Sequence, residues 1–170
     1  MRLRAIVAAC AATFMVAGCG TSTPTKTEPA AGTTHLTVVD PWVKAAAKSE
    51  MTGAFATLKN ESSKAVHIVS ASSDIAMMTE LHEVVTGADG AMVMQPKENG
   101  FTVEPNGSLV LEPGSFHIMF MQLHQDLRPG DQVKITLTFE DTSTQEVTAL
   151  VKPFTGADEK YNKKTKKKKM

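Results

Sequence analysis

The amino-acid sequence predicts a single all-β domain, a small sandwich or barrel, and three observations support this. Short runs rich in Val, Ile, Thr and Phe recur at close spacing, and Gly, Pro, Asn and Asp lie between them. No window of about 11 residues or more carries an apolar stripe with the period of a helix. With 170 residues, of which 42% are hydrophobic and 21% charged, the chain has the size and composition of one globular domain.

Nine predicted strands follow one another between residues 35 and 155. They cover 36–39, 53–58, 65–70, 80–85, 91–95, 108–111, 116–121, 133–139 and 147–151. Turn-forming segments separate them at 59–62, 87–90, 98–100, 105–107, 113–114 and 129–131. Many short strands joined by such turns are typical of sandwiches and barrels. The sequence leaves the order of the strands open.

The N-terminal segment resembles the signal of bacterial lipoproteins. An apolar run over 5–18 follows two arginines, and its 14 residues are fewer than the roughly 20 that a spanning helix needs. Directly behind it, residues 16–19 (VAGC) resemble a lipobox. The resemblance implies that 1–18 are a signal peptide and that Cys19 is acylated, which anchors the protein on the extracytoplasmic side of the bacterial membrane. An uncleaved signal anchor is the alternative.

Both cysteines of the chain lie in this N-terminal segment. Cys10 would leave with the signal peptide, and Cys19 would carry lipid. The remaining chain therefore offers no disulfide, no thiolate metal site and no cysteine nucleophile. This suits a function outside the cytoplasm, where exposed thiols tend to oxidise.

The two ends of the chain differ in composition from the segment between them. Residues 19–34 are rich in Thr, Pro and Ala and are predicted to be a flexible tether. Residues 156–170 contain seven Lys and are predicted to be a disordered tail, either attracted to anionic lipid headgroups or simply solvated. The domain over 35–155 carries 8 Lys+Arg against 15 Asp+Glu, a net charge of −7, so we expect no nucleic-acid partner.

Histidine and methionine share one face of the predicted strand over 116–121, because side chains alternate along a strand. One face carries Phe116, Ile118 and Phe120. The other face carries His117, Met119 and Met121. The first set is typical of a core face. The second set therefore lies on the opposite side of the strand, where packing does not require methionine.

A predicted hairpin with its loop at 86–90 offers a second imidazole and thioether. We expect Val85 to pair with Ala91, so that His82 lies opposite Met94, with Cβ atoms about 4.5–5.5 Å apart. The hairpin and the later strand together provide four candidate metal ligands: His82, Met94, His117 and Met119. The possible additional ligands are Met92 and Met121.

Two imidazoles and two thioethers form a donor set that indicates Cu(I). Thioether sulfur is soft and neutral, and it binds Cu(I) far better than Zn, Mg or Ca. Imidazole adds a basic nitrogen, so metal binding weakens as the pH falls through its protonation range. The alternative is that the methionines only fill a core and the histidines make structural hydrogen bonds.

At these residues the sequence resembles the PCu(A)C family of periplasmic copper chaperones, whose pattern is a His, a later Met and a distant His-x-Met. The matching stretches are 41–43, 57–60, 81–83, 92–94, 113–119 and 130–131, the last followed by a Thr-Leu-Thr-Phe strand. The resemblance covers nearly all of 35–152. It implies a cupredoxin-like or immunoglobulin-like β-sandwich, in outline a small Greek-key barrel, that binds Cu(I) at an accessible site. It further implies copper delivery to the binuclear site of cytochrome c oxidase or to a thiol-bearing assembly factor. We expect a monomer without enzymatic activity.

The spacing departs from the family pattern in two places. Eleven residues separate His82 from Met94 and twenty-two separate Met94 from His117, each one more than in the pattern. Choosing Met92 would make the first gap nine, so the choice between Met92 and Met94 stays open, although the hairpin pairing favours Met94. One alternative function is kept: a surface lipoprotein that binds protein or envelope polymer without metal. No hydrolase, P-loop or zinc-peptidase motif indicates catalysis.

Overall fold

The structure is a computed structural model that describes residues 36–156 and the backbone of Lys160–Tyr161. The predicted signal peptide, Cys19, the tether and His35 lie outside the described residues. Within the described part, the regular secondary structure is β-strand, which confirms the predicted all-β class. That part contains no helix long and apolar enough to cross a membrane.

The described part of the chain forms eleven strands. In chain order they are β1 (Thr37–Lys44), β2 (Thr52–Lys59), β3 (Val66–Ser72), β4 (Ala76–Thr86), β5 (Met92–Pro96), β6 (Phe101–Val103), β7 (Ser108–Leu111), β8 (His117–Leu123), β9 (Gln132–Phe139), β10 (Thr144–Lys152) and β11 (Lys160–Tyr161). The nine predicted strands correspond to β1–β5 and β7–β10, whereas β6 and β11 were not predicted.

Strand β1 joins two halves of one sheet that folds over on itself. One half has the order β5-β4-β8-β2 and the other β10-β9-β3-β6, and β1 pairs antiparallel with β2 and parallel with β10. The register of β1 shifts between Val39 and Trp42, where Asp40 has a positive φ of 49°. A β-bulge of this kind bends a strand. The sheet is not closed, so the domain is a sandwich.

One apolar core lies between the two halves of the sheet. The first half contributes Leu81, Ile118 and Phe120. The second half contributes Ile68, Ile135 and Leu137. Burial of each such side chain stabilises the fold by about 1.5–3 kcal/mol. Since Ile118 and Phe120 point into this core, the alternate residues of β8 point to the opposite side.

The β4–β5 hairpin pairs in a different register from the predicted one. Met94 lies opposite Val84, so the prediction that it lies directly opposite His82 is wrong. The loop covers 87–91 instead of 86–90. Because the loop still has five residues, each side chain of the hairpin stays on its predicted face of the sheet. His82 and Met94 therefore remain diagonal neighbours on the same face.

Hydrogen bonds within the loop explain this displacement. The Gly87 N–H donates to the Ala91 carbonyl at 2.7 Å, and the Gly90 N–H donates to the Gly87 carbonyl at 3.0 Å. Gly90 has a φ of 80°, a conformation that favours glycine. The closed turn leaves Thr86 within β4, where it pairs with Met92.

Two residues of the predicted tail extend the sheet. Lys160–Tyr161 form β11 parallel to β5, with Tyr161 opposite Met94. An edge strand exposes unpaired N–H and C=O groups, so a neighbouring segment can add to it. Apart from Gly156 and these two residues, the tail predicted over 156–170 lies outside the described residues.

Candidate metal site

The two predicted imidazoles meet across β4 and β8. His82 lies directly opposite His117, and their ring centroids are 5.5 Å apart in an edge-on arrangement. The strands β5, β4, β8 and β2 are consecutive neighbours here, and this sheet face points away from the apolar core. Pairing of distant strands, and not the hairpin alone, therefore forms the centre of the site.

A small cavity lies beside the His117 ring. Its lining comprises Met94, His117 and Met119 together with Gly53, Phe55, Pro113 and Gly114. The cavity has a volume of about 10 Å³, which is room for one water-sized particle. Three of the four predicted ligands thus converge on one space, and the fourth, His82, lies next to His117.

The thioethers on this face form an apolar cluster separate from the core. Met94, Met119 and Met121 form one buried cluster, with Val84 packed against it. Met121 belongs to this cluster but is not among the residues that line the cavity. Met92 is 49% exposed, and its Sδ accepts a hydrogen bond from the Thr86 hydroxyl at 3.8 Å. The structure therefore places Met94, and not Met92, beside the other donors.

The burial of the four donors differs from the accessible site that the family resemblance implies. The exposed fractions are 0% for His82, 4% for Met94, 5% for His117 and 5% for Met119. Met94 and Met119 line the same cavity as His117, so apolar thioether side chains contribute to this burial. A metal ion can reach these donors only if side chains around them move.

A backbone carbonyl sets the tautomer of His117. Its Nδ1 lies 3.0 Å from the carbonyl oxygen of Ser115. Because a carbonyl oxygen only accepts, Nδ1 carries the proton and donates it. In the neutral ring, Nε2 then carries the lone pair that a metal ion requires.

The carboxylate of Glu80 sets the tautomer of His82. Glu80, two residues earlier on the same face of β4, places its Oε2 2.9 Å from His82 Nε2, which donates to it. Burial lowers the pKa of His82 below its ordinary value, although the hydrogen bond and the charge of Glu80 act to raise it. The ring is therefore neutral at pH 7, with its lone pair on Nδ1.

An aromatic side chain forms one wall of the cavity. The ring centroid of Phe55 lies 6.2 Å from that of His117 and 4.5 Å from that of Trp42. Gly53 lies opposite Met119 on the neighbouring strand. A Cβ at Gly53 would lie 2.7 Å from Cζ of Phe55, so glycine leaves the space that this ring occupies.

Sequence reasoning missed three residues of this site. The spacing of Glu80 and His82, which places both on one face of a strand, could have identified Glu80. Gly53 and Phe55 carry no comparable signal, because their proximity to the site depends on the pairing of β2 with β8. Within 36–156, no group of three or more His, Cys, Asp or Glu is placed to hold a metal ion, so the candidate site is defined by thioethers as much as by imidazoles.

Solved structures of PCuAC domains share this fold. The "Copper-bound PCuAC domain from PmoF2" has a TM-score of 0.57 at 16% identity, over 71% of this chain and 94% of that chain. Apo-DR1885 from Deinococcus radiodurans has a TM-score of 0.52 at 29% identity, over 85% and 97% of the two chains. The CuI-DR1885 structure has a TM-score of 0.50 at 31% identity, over 72% of this chain and 83% of that chain. The domain is therefore a cupredoxin-like or immunoglobulin-like sandwich of the PCuAC type.

Residues 36–151 match the protein family described as "Putative lipoprotein LpqE-like", and the chain belongs to this family. It is 40% identical over 145 residues to "Putative lipoprotein Lxx21020" of Leifsonia xyli subsp. xyli, which covers 85% of this chain and 86% of that protein. It is 30% identical over 139 residues to "Uncharacterized protein RP573" of Rickettsia prowazekii, covering 79% and 73%. The resemblance to PCu(A)C copper chaperones is thereby confirmed.

Proposed function

We propose that this protein is an extracytoplasmic copper chaperone that binds Cu(I) through His82, Met94, His117 and Met119. The observation that carries the proposal is the convergence of Met94, His117 and Met119 on one cavity, with His82 beside His117. Neutral imidazole and thioether donors suit soft monovalent copper better than the harder divalent ions. The copper-bound PmoF2 domain and CuI-DR1885 share the fold and support the same cargo.

The donor set suits transfer of the metal without turnover. Thioethers are neutral ligands, so a thiolate or imidazole of an acceptor protein can displace them one at a time while copper remains Cu(I). The acceptors we propose are the binuclear copper site of cytochrome c oxidase and a thiol-bearing assembly factor. Because the four donors are buried, each exchange requires the side chains around them to move.

We also propose that the chaperone acts as a monomer tethered to the membrane. In this arrangement 1–18 are removed, the lipid on Cys19 inserts into the bilayer, and 19–34 connect the anchor to the domain over 35–155. The Lys-rich segment over 156–170 follows the domain. The name of the Leifsonia relative, a lipoprotein, supports this placement.

Cu(I) titration against a competing chelator tests the proposed ligands. We expect one Cu(I) per wild-type chain, and we expect Met119→Ile to lower the affinity by more than about tenfold, because the soft donor is lost while the side-chain size is kept. Met92→Ile, which changes an exposed methionine outside the cavity in the same way, should bind copper like the wild type.

Other outcomes would contradict the proposal in different ways. Unchanged affinity in Met119→Ile would reject Met119 as a ligand. A loss of affinity in Met92→Ile would favour Met92 over Met94 as the ligand from the hairpin. A wild-type chain that binds no Cu(I) would favour the alternative function, a surface lipoprotein that binds protein or envelope polymer.

A further inference from the structure

A line of methionines connects the buried donors with the protein surface. Three cross-strand pairs of β4 and β8 are consecutive on one sheet face: Met78 with Met121, Glu80 with Met119, and His82 with His117. Met78 is 41% exposed, whereas Met121 and Met119 are both buried. Soft donors therefore follow one another from solvent to the imidazoles.

Met121 links the exposed end of this line to the buried end. It lies directly opposite Met78, and Cβ atoms of such a pair are about 4.5–5.5 Å apart, a separation that two flexible thioether side chains can bridge through one ion. Towards the interior, Met121 belongs to the same buried cluster as Met119 and Met94. Met121 thus connects a surface thioether with the cluster that contains two of the proposed ligands.

We propose that Met78 and Met121 form a surface loading site, where Cu(I) binds before it passes to Met119 and the inner donors. The proposal rests on the proposed function, since it supplies the route to that same site. Every step is a ligand exchange: a bond from copper to the next sulfur forms as the bond to the previous donor breaks. Copper stays Cu(I) throughout, so no oxidant or reductant is required.

The burial of the inner donors explains why a loading site is useful. No proposed ligand is more than 5% exposed, so a copper donor outside the protein cannot contact any of them directly. Met78 can make the first contact. Glu80, between Met78 and His82 on the same face of β4, adds a partly exposed carboxylate whose charge favours a cation along this route.

Two other exposed methionines show that exposure alone does not define this site. Met77 is 67% exposed, but no methionine of β8 is paired with it. Met92 lies at the loop end of the hairpin, opposite Thr86, four residues along β4 from His82 and on the side away from Met78. Met78 differs from both in its position opposite Met121.

The rate at which the purified full-length chain takes Cu(I) from a coloured chelator, bicinchoninate, tests the proposal by stopped-flow absorbance. Met78→Leu removes the sulfur and keeps the size of the side chain. We expect it to load about tenfold more slowly or worse, while its equilibrium Cu(I) affinity changes by less than about twofold. Met77→Leu is the matched control and should load at the wild-type rate.

A second variant tests the partnership of the two residues. Met121→Leu should also slow loading, and the double variant Met78→Leu/Met121→Leu should be no slower than the slower single variant, because the two sulfurs act as one site. A double variant that is slower by the product of the two single effects would show independent contributions and overturn the shared site.

The remaining outcomes separate this proposal from the proposed function. Equal loading rates for Met78→Leu and Met77→Leu, with tight equilibrium binding in both, would show that copper takes another path, such as one past Pro113 and Gly114. A large loss of equilibrium affinity in Met78→Leu would make Met78 a permanent ligand and not a loading residue. A wild type that takes no Cu(I) would refute the proposed function and this proposal together.

Discussion

One ring nitrogen of each imidazole in the candidate site donates a hydrogen bond, which leaves the second nitrogen with its lone pair. The Ser115 carbonyl accepts from His117, and the Glu80 carboxylate accepts from His82. Such partners fix the tautomer and the orientation of a metal-ligating ring and raise its basicity. For the proposed copper site, the two rings therefore already have fixed orientations.

The buried position of His82 predicts a pH dependence of the stability of the metal-free protein. Burial lowers its pKa in the folded state below the ordinary value of 6.5, and the groups that face it are Glu80 of β4 and His117 of β8. As the pH falls below 6.5, the unfolded chain binds the proton more readily than the folded chain. The free energy of unfolding should therefore decrease as the pH falls from about 6.5, and this loss is absent above that value.

Urea unfolding at several pH values between about 7.5 and 5 measures this effect. His82→Gln removes the titrating ring and keeps a donor for Glu80, so its stability should fall less steeply over the same range. The difference between wild type and variant isolates His82 from the other histidines. Parallel pH profiles for the two proteins would contradict the assignment.

The sequence could predict which side chains share one face of a strand, because side chains alternate along it. The pattern of 116–121 separates Ile118 and Phe120 from Met119 and Met121, and the structure places these pairs in two different clusters. The spacing of Glu80 and His82 places both on one face of a strand, but the hydrogen bond between them depends on side-chain conformations that the spacing does not specify. The sequence did not predict how deeply the four donors are buried, because burial depends on how side chains from several strands pack around them.

At the scale of elements, the β4–β5 hairpin shows that a misplaced loop of the correct length does not change the predicted face of a side chain. The loop lies one residue further along the chain than predicted, so Met94 faces Val84. Since the loop length was correct, every side chain of the hairpin remained on its predicted face. A loop of four or six residues would have moved Met94 to the other side of the sheet.

Gly100, between β5 and β6, should be sensitive to substitution by alanine. Its φ is 65°, and a Cβ there would lie 2.1 Å from the Ile68 carbonyl oxygen, next to the pairing of β3 with β6. We expect Gly100→Ala to lower the free energy of unfolding by more than about 2 kcal/mol, because the backbone must shift to relieve the contact. Denaturant unfolding of the metal-free protein measures this loss.

Gly90 provides the matched control for this substitution. Its φ is 80°, but a Cβ there would meet no atom within 4 Å. Gly90→Ala should therefore lower the free energy of unfolding by only about 1 kcal/mol, because alanine adopts this φ less readily than glycine. Equal losses in the two variants would mean that the close approach to Ile68 carries no energetic weight.

At the scale of the whole molecule, the site exists because strands distant in sequence are neighbours in the sheet. Strand composition and turn residues predicted the all-β class and nine of the strands, but not their order. The order brings β4 beside β8 and β8 beside β2, which places His82 against His117 and Gly53 beside Met119. Long-range pairing of this kind has no local signature, so the convergence of the donors required the structure.

Methionine methyl NMR on addition of one equivalent of Cu(I) tests the central claim most directly. The chain has ten methionines, so one spectrum reports on proposed ligands and on exposed controls together. We predict that at equilibrium the methyl resonances of Met94 and Met119 shift and those of Met77 and Met92 do not. Unshifted Met94 and Met119 resonances, or shifts confined to the exposed methionines, would contradict copper binding by the buried His/Met site.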